Sequence, residues 1–240
     1  MTFLRTLLLT VSLTLPLLAF STTNIQLLYG NFDDNSFVYD TANGGKTTLT
    51  LEHYRTFEYG DIFMFADYSV ASERFKYQDK TTDLYGEISP RISLGKTSGR
   101  DLSFAFVKDV YLAFQYNRQL HRFDDYDAYL YGVGSDLVIK GFDIFGLNIY
   151  KKNQKFSDNT YQFSTNYSSF NMFGTQLTLD GFTDWTEDDF LTQNKLLYSL
   201  GNLFDITSQK VYIGTEWHYY RIKDTGVNSN TWQAIAMVKW

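Results

Sequence analysis

Along most of this chain, apolar and polar side chains change places at every step. In LYGEISPRISL, Leu84, Ile88, Ile92 and Leu94 share one parity, while Tyr85, Glu87, Ser89, Arg91 and Ser93 share the other. VYIGTEWHYYR sets Val211, Ile213, Trp217 and Tyr219 against Tyr212, Gly214, Glu216 and His218. TYQFSTNYSSF sets Tyr161, Phe163 and Tyr167 against Gln162, Ser164 and Asn166. FDIFGLNIYKK sets Phe145, Leu147 and Ile149 against Asn148, Tyr150 and Lys152. The closing TWQAIAMVKW puts Trp232, Ala234, Ala236, Val238 and Trp240 opposite Gln233, Ile235, Met237 and Lys239. A period of two means strands with one apolar face.

This reading predicts twelve strands, at 24–30, 46–56, 61–70, 83–94, 109–118, 127–137, 143–152, 159–168, 173–183, 191–200, 210–222 and 231–240. Most run to about ten residues, the length a tilted strand needs to cross the hydrocarbon layer. An even count suits a single-chain bacterial barrel and brings both ends to one side, expected to be periplasmic. The outer connections then fall at 31–45, 71–82, 119–126, 153–158, 184–190 and 223–230. They hold polar and acidic runs such as NFDDNSF, HRFDDY, DWTEDDF and KDTGVNSN. Inner turns are short, as in FEYG at 57–60 and IKGFD at 139–143. The stretch GKTSGRDLSFAFVK, 95–108, is long for an inner turn and is expected to tuck into the barrel mouth.

Composition sharpens this. Aromatic residues make up 18% of the 240 residues, with 21 Phe, 19 Tyr and 4 Trp against only 2 Pro. Such density favours strands and supplies the girdles of a membrane barrel. Tyr129, Tyr131, Trp217, Tyr219 and Trp232 are expected in those girdles. Cys is absent, which excludes disulfides and thiolate metal sites. MTFLRTLLLTVSLTLPLLAFS has one cation, Arg5, an apolar run from Leu7 to Phe20, and a small-x-small end, the layout of a signal peptide over 1–21. That run of about 14 residues is short for a spanning helix. The formal net charge of −6 becomes more negative without Arg5, and no basic patch points to nucleic acid. The fold expected for 22–240 is therefore all-β: one transmembrane antiparallel barrel of about twelve strands, up-and-down. A soluble sandwich would instead show turns every 8–12 residues or so.

Four stretches carry a resemblance: LEHYRTFEYGDIFMFADYS (51–69), GEISPRISLGKTSGRDLSF (86–104), LYGVGSDLVI (130–139) and GTQLTLDGFTDW (174–185). In combination they resemble the nucleoside-specific channel-forming outer-membrane proteins, the Tsx and OmpK family, from about residue 46 to 240. The resemblance implies a monomeric barrel with a narrow, aromatic-lined pore that binds and passes nucleosides. The aromatic C-terminus also resembles the signal read by the outer-membrane assembly machinery.

The candidate pore-lining residues follow from parity. Asp61, Phe63, Phe65 and Asp67 share one face, and Glu52 shares another with Thr48, Thr50 and Tyr54. The alternative for 61–70 points Ile62, Met64, Ala66 and Tyr68 inward, since a one-residue slip inverts every side chain. A lipid-facing Asp is costly, which favours Asp61 and Asp67 inward. Glu87 and Arg91 stand about 13 Å apart along one strand and need partners elsewhere; they either pair with lumenal charges or meet solute. Asp136, Glu216, His218 and Lys239 complete the set. His53 and His121 are scattered, and no HExxH or clustered ligand set suggests a metal.

Three function classes stay open. The first is passive, selective uptake of nucleosides without a cofactor. The second is a general small-solute porin or structural barrel, although such porins commonly use about 16 strands. The third is a barrel phospholipase, which needs a Ser with a His base and a group orienting it. Surface loops can also serve phage, and their acids can hold cations against lipopolysaccharide phosphate.

Overall fold

The computed structural model describes residues 20–32, 44–75, 80–120, 125–201, 210–223, 226 and 228–240. The strands are β1 (Ser21–Phe32), β2 (Gly44–Phe57), β3 (Gly60–Phe75), β4 (Lys80–Ser93), β5 (Val107–Leu120), β6 (Tyr126–Leu137), β7 (Ile144–Gln154), β8 (Thr160–Ser169), β9 (Leu177–Thr186), β10 (Asp189–Ser199), β11 (Lys210–Ile222) and β12 (Asn228–Lys239). A five-residue helix, α1 (Leu94–Ser98), follows β4, and a 3₁₀ turn, Met172–Gly174, precedes β9. Each strand pairs antiparallel with its chain neighbours, and β1 pairs with β12, closing the sheet. The end of the chain completes that seam: Thr23 and Trp240 exchange two backbone hydrogen bonds of 2.9 Å. Closure leaves no unpaired edge, which is what a spanning sheet requires in hydrocarbon.

The usual distribution of side chains is inverted. Outward positions are apolar and exposed, as with Ile25, Leu27 and Tyr29 on β1, Leu49 and Leu51 on β2, and Ile88 and Ile92 on β4. Inward positions are polar and buried, as with Gln26, Thr48, Thr50, Asp61, Asn117, Gln162 and Glu216. Only a surrounding lipid makes such a surface favourable. The chain is a twelve-stranded antiparallel transmembrane β-barrel.

The interior is not uniformly wet, contrary to the simple alternation rule. Leu28, Leu197, Ile235 and Met237 form one buried apolar cluster on the inner wall of β1, β10 and β12, with Tyr212 against it. Ala113, Ala128, Leu130 and Tyr150 form another on β5 to β7. These clusters narrow the bore from two sides without breaking parity.

Three expectations change at strand ends. The ninth strand begins at Leu177 rather than 173, because Asn171, Phe173 and Gly174 hold positive φ and cannot extend. β3 runs on to Phe75, so part of the expected 71–82 connection is strand. Leu94 leaves the strand to open α1, whose N-cap is Ser93 and whose C-terminus stops at Gly99 with φ 67°. The expected N-terminal leader lies mostly outside the described residues, as do His121 and much of the outer connections.

Candidate functional site

The lumen holds a cavity of about 290 Å³ lined mainly by β2, β3, β4 and β8 to β11. Ten of the twelve candidates line it: Glu52, Tyr54, Asp61, Phe63, Phe65, Asp67, Glu87, Arg91, Glu216 and His218. The inward parity of Asp61, Phe63, Phe65 and Asp67 is thus the one present, and Ala66, Tyr68 and Val70 face out, exposed. Asp136 does not border the cavity but holds Arg91 from behind. Lys239 faces inward beside a smaller cavity near the rim that carries the termini, with Nζ 5.7 Å from the Phe170 ring. His53 faces outward and meets the Thr23 hydroxyl at 2.8 Å.

Near that terminal rim, Arg91 is fixed by three hydrogen bonds. Its Nε and Nη2 donate to Asp61 Oδ1 and Oδ2 at 2.9 and 2.7 Å, and its Nη1 donates to Asp136 Oδ1 at 2.8 Å. Tyr111 donates to the other Asp136 oxygen at 2.8 Å, and the guanidinium carbon lies 4.2 Å from the Tyr111 ring centre. The bidentate geometry suits the planar fork of arginine. The pairing expected for Arg91 comes from β3 and β6, the strands on either side of the β4–β5 pair.

Further in, three rings form a strip. Phe63 and Phe65 have centroids 6.0 Å apart, and Phe65 and Tyr85 are 5.9 Å apart. Polar groups border the strip. Glu87 accepts from the Tyr85 hydroxyl and from Gln115 Nε2, the latter at 2.9 Å. Thr50 donates to Asp67 Oδ1 at 2.5 Å. Glu52 accepts from Asn24 at 2.9 Å and from Gln26 at 3.1 Å. Across the bore, Lys195 on β10 lies 3.6 Å from Glu52 and 4.0 Å from Asp180. Toward the far rim, Lys46 sits 4.2 Å from the Phe32 ring centre. His218 meets Phe32 edge-on at 5.9 Å and Gln193 at 3.2 Å. A slot with apolar faces and hydrogen-bonding edges suits a flat polar solute held weakly.

Sequence reasoning missed Lys195, Lys46, Tyr85, Tyr111, Asp180 and Asp184, all of which face inward. For Lys195 a signal existed: Gln193 and Lys195 share a parity opposite Leu196 within a membrane-length strand. Its partner Glu52 is eight strands away in the chain order, so no local spacing joins them.

The family model described as "Nucleoside-specific channel-forming protein, Tsx" matches residues 25–239. The chain belongs to this family. Among curated relatives, outer membrane protein OmpK of Vibrio parahaemolyticus serotype O3:K6 is 30% identical over 138 residues, covering 52% of this chain and 51% of that protein. The nucleoside-specific channel-forming protein Tsx of Salmonella typhimurium is 27% identical over 172 residues, covering 65% of this chain and 58% of that protein. The chain thus spans about half the length of the curated relatives it matches. A solved KdgM porin aligns at 11% identity with a TM-score of 0.47, covering 89% of this chain and 97% of that one. The family match over residues 25–239 and the closed twelve-stranded barrel agree with each other.

Proposed function

We propose that this barrel passes nucleosides passively across the outer membrane, with both termini on the periplasmic side and residues 1–21 removed during export. The observation that carries the reading is the strip of Phe63, Phe65 and Tyr85 set among Glu52, Asp67, Glu87 and Lys195 in the lumenal cavity. A nucleobase offers a π face to the rings, and the ribose hydroxyls exchange hydrogen bonds with the carboxylates. The relatives named for nucleoside channels support the same permeant. Solute enters at the far rim, stacks briefly, and moves between successive polar groups. A site that held it tightly could not release it, so affinity must be modest. No cofactor or energy input is part of this route.

The test is ion current through the reconstituted barrel in a planar bilayer. Adenosine or thymidine is expected to interrupt the current at concentrations where glucose does not. Equal response to nucleoside and glucose would leave a small general pore.

A further inference from the structure

The long connection between β4 and β5 takes no part in the lumenal strip. The chain makes α1, turns at Gly99, and returns through a tight hairpin in which Phe104 and Val107 exchange backbone hydrogen bonds of 3.1 and 2.8 Å. At the barrel mouth, the Ser93 hydroxyl donates to Asp109 Oδ2 at 2.6 Å, and Gly95 packs so close to Asp109 that an added Cβ would stand 2.9 Å from its Oδ1. Only the start of α1, at Gly95, packs over Asp109 at the mouth; Lys96 to Arg100 are exposed. The hairpin points elsewhere.

Cross-strand partners share a face of the sheet. Asp109 pairs with Asp136, which holds Arg91 inside the lumen. One residue on, Leu137 faces out and pairs with Val107 across a bulge at Lys108, and Val107 in turn bridges to Phe104. Phe104 is therefore on the lipid side of the wall. Its height follows from β5. The outward side chains Val110, Leu112 and Phe114 are followed by Tyr116 and Arg118, both hydrogen-bonded to Asp127, which mark the polar boundary at the far rim. A strand tilted by about 40° gains roughly 2.5 Å of height per residue, and the apolar band is about 25 Å tall. Counting about ten residues back from Tyr116 reaches the Phe104–Val107 hairpin. The hairpin lies at the opposite membrane boundary.

Phe104, Phe106 and Val138 are 64, 57 and 57% exposed there. Four exposed cations belong to the same rim: Lys96 in α1, Arg100 after it, Lys108 in the bulge and Lys140 in the β6–β7 turn. Two exposed acids, Asp101 and Asp143, share these segments, so the cations outnumber them four to two. Asp101 accepts from the Ser103 amide at 2.8 Å, and the Ser103 side chain together with that amide holds its carboxyl below the usual range; Asp143 accepts from the Phe170 amide at 2.6 Å. We propose that this segment is a lipid-binding anchor that seats the barrel on anionic glycerophospholipids of the leaflet at the terminal rim. Phe104 enters below the headgroups and the four cations meet phosphate. The inference rests on the orientation proposed above and not on the permeant, so a barrel that ignored nucleosides would leave it standing.

Because the chain has no cysteine, a nitroxide on Phe104→Cys reports from one place. In vesicles of phosphatidylglycerol and phosphatidylcholine, the label is expected to be more accessible to oxygen than to a water-soluble nickel chelate; the reverse overturns membrane contact. Lipid retained on the otherwise native barrel after extraction is expected to be enriched in phosphatidylglycerol at least about threefold over the vesicle ratio. The variant Lys96→Gln/Arg100→Gln/Lys108→Gln/Lys140→Gln is expected to fall to that ratio. Should it not assemble, Lys108→Gln/Lys140→Gln carries the test, with about half the enrichment lost. Equal retention by native barrel and variant, or a charge-dependent preference for lipid A over phosphatidylglycerol, overturns the assignment.

Discussion

Arg91 holds Asp61 through two hydrogen bonds and Asp136 through a third, and its side chain is only 11% exposed. Removing it leaves two carboxylates facing each other with no cation between them. Breaking a buried pair on one side costs about 3–5 kcal/mol, so Arg91→Ala is expected to lower the temperature at which the folded band vanishes in cold-loaded SDS electrophoresis. Arg91→Lys keeps the charge but loses the fork, and should restore only part of that loss. Phe63 and Phe65 have a different task. Stacking a base on a ring is worth about 1–3 kcal/mol, so Phe65→Ala is expected to weaken nucleoside block roughly tenfold or more while the barrel still folds. A block curve unchanged by both Phe63→Ala and Phe65→Ala would remove the stacking slot. These side chains were legible because Asp61 and Asp67 fix their parity. Lys195 was not, since its meaning lies in Glu52 across the bore.

Strands were the most legible feature, because a barrel wall with lipid on one side and polar groups on the other writes its period into every crossing. The reading failed where backbone conformation, not burial, decides the boundary. Positive φ at Asn171 and Phe173 delays β9, and the Ser93 cap with Gly99 builds α1 at the start of the long 95–108 connection, where no helix was expected. A close approach between strands was equally hidden. On β6, Gly132 pairs with Tyr150, and an added Cβ would stand 1.9 Å from the Ile149 carbonyl oxygen. Gly132→Val must therefore push β6 and β7 apart beside the apolar cluster of Ala113, Ala128, Leu130 and Tyr150. Overpacking of this kind costs about 1–3 kcal/mol, and a reduced yield of folded barrel after refolding into detergent is the expected readout.

The lumenal cavity as a unit is lined by eight carboxylates and three Lys or Arg side chains. A bore with that excess of acid attracts cations along its length. Under a potassium chloride gradient the reversal potential is expected to show cation preference, shrinking toward 1 M salt as screening shortens to about 3 Å. Anion preference would mean that most of these acids are neutral or hidden in the open channel. The sequence reading described a cylinder, greasy outside and wet within. What it did not foresee is the pair of dry patches on the inner wall, because Leu28, Leu197, Ile235 and Met237 obey the same alternation as their polar neighbours.

The β1–β12 seam has a temporal consequence. Asn24 pairs with Glu52 on the neighbouring β2 but, across the seam, with Lys239, so one edge of β1 waits for nearly all of the sheet to be made. Until then that edge is open, beside the outward Ile25, Leu27 and Tyr29. The cylinder can therefore close only when β12 reaches β1.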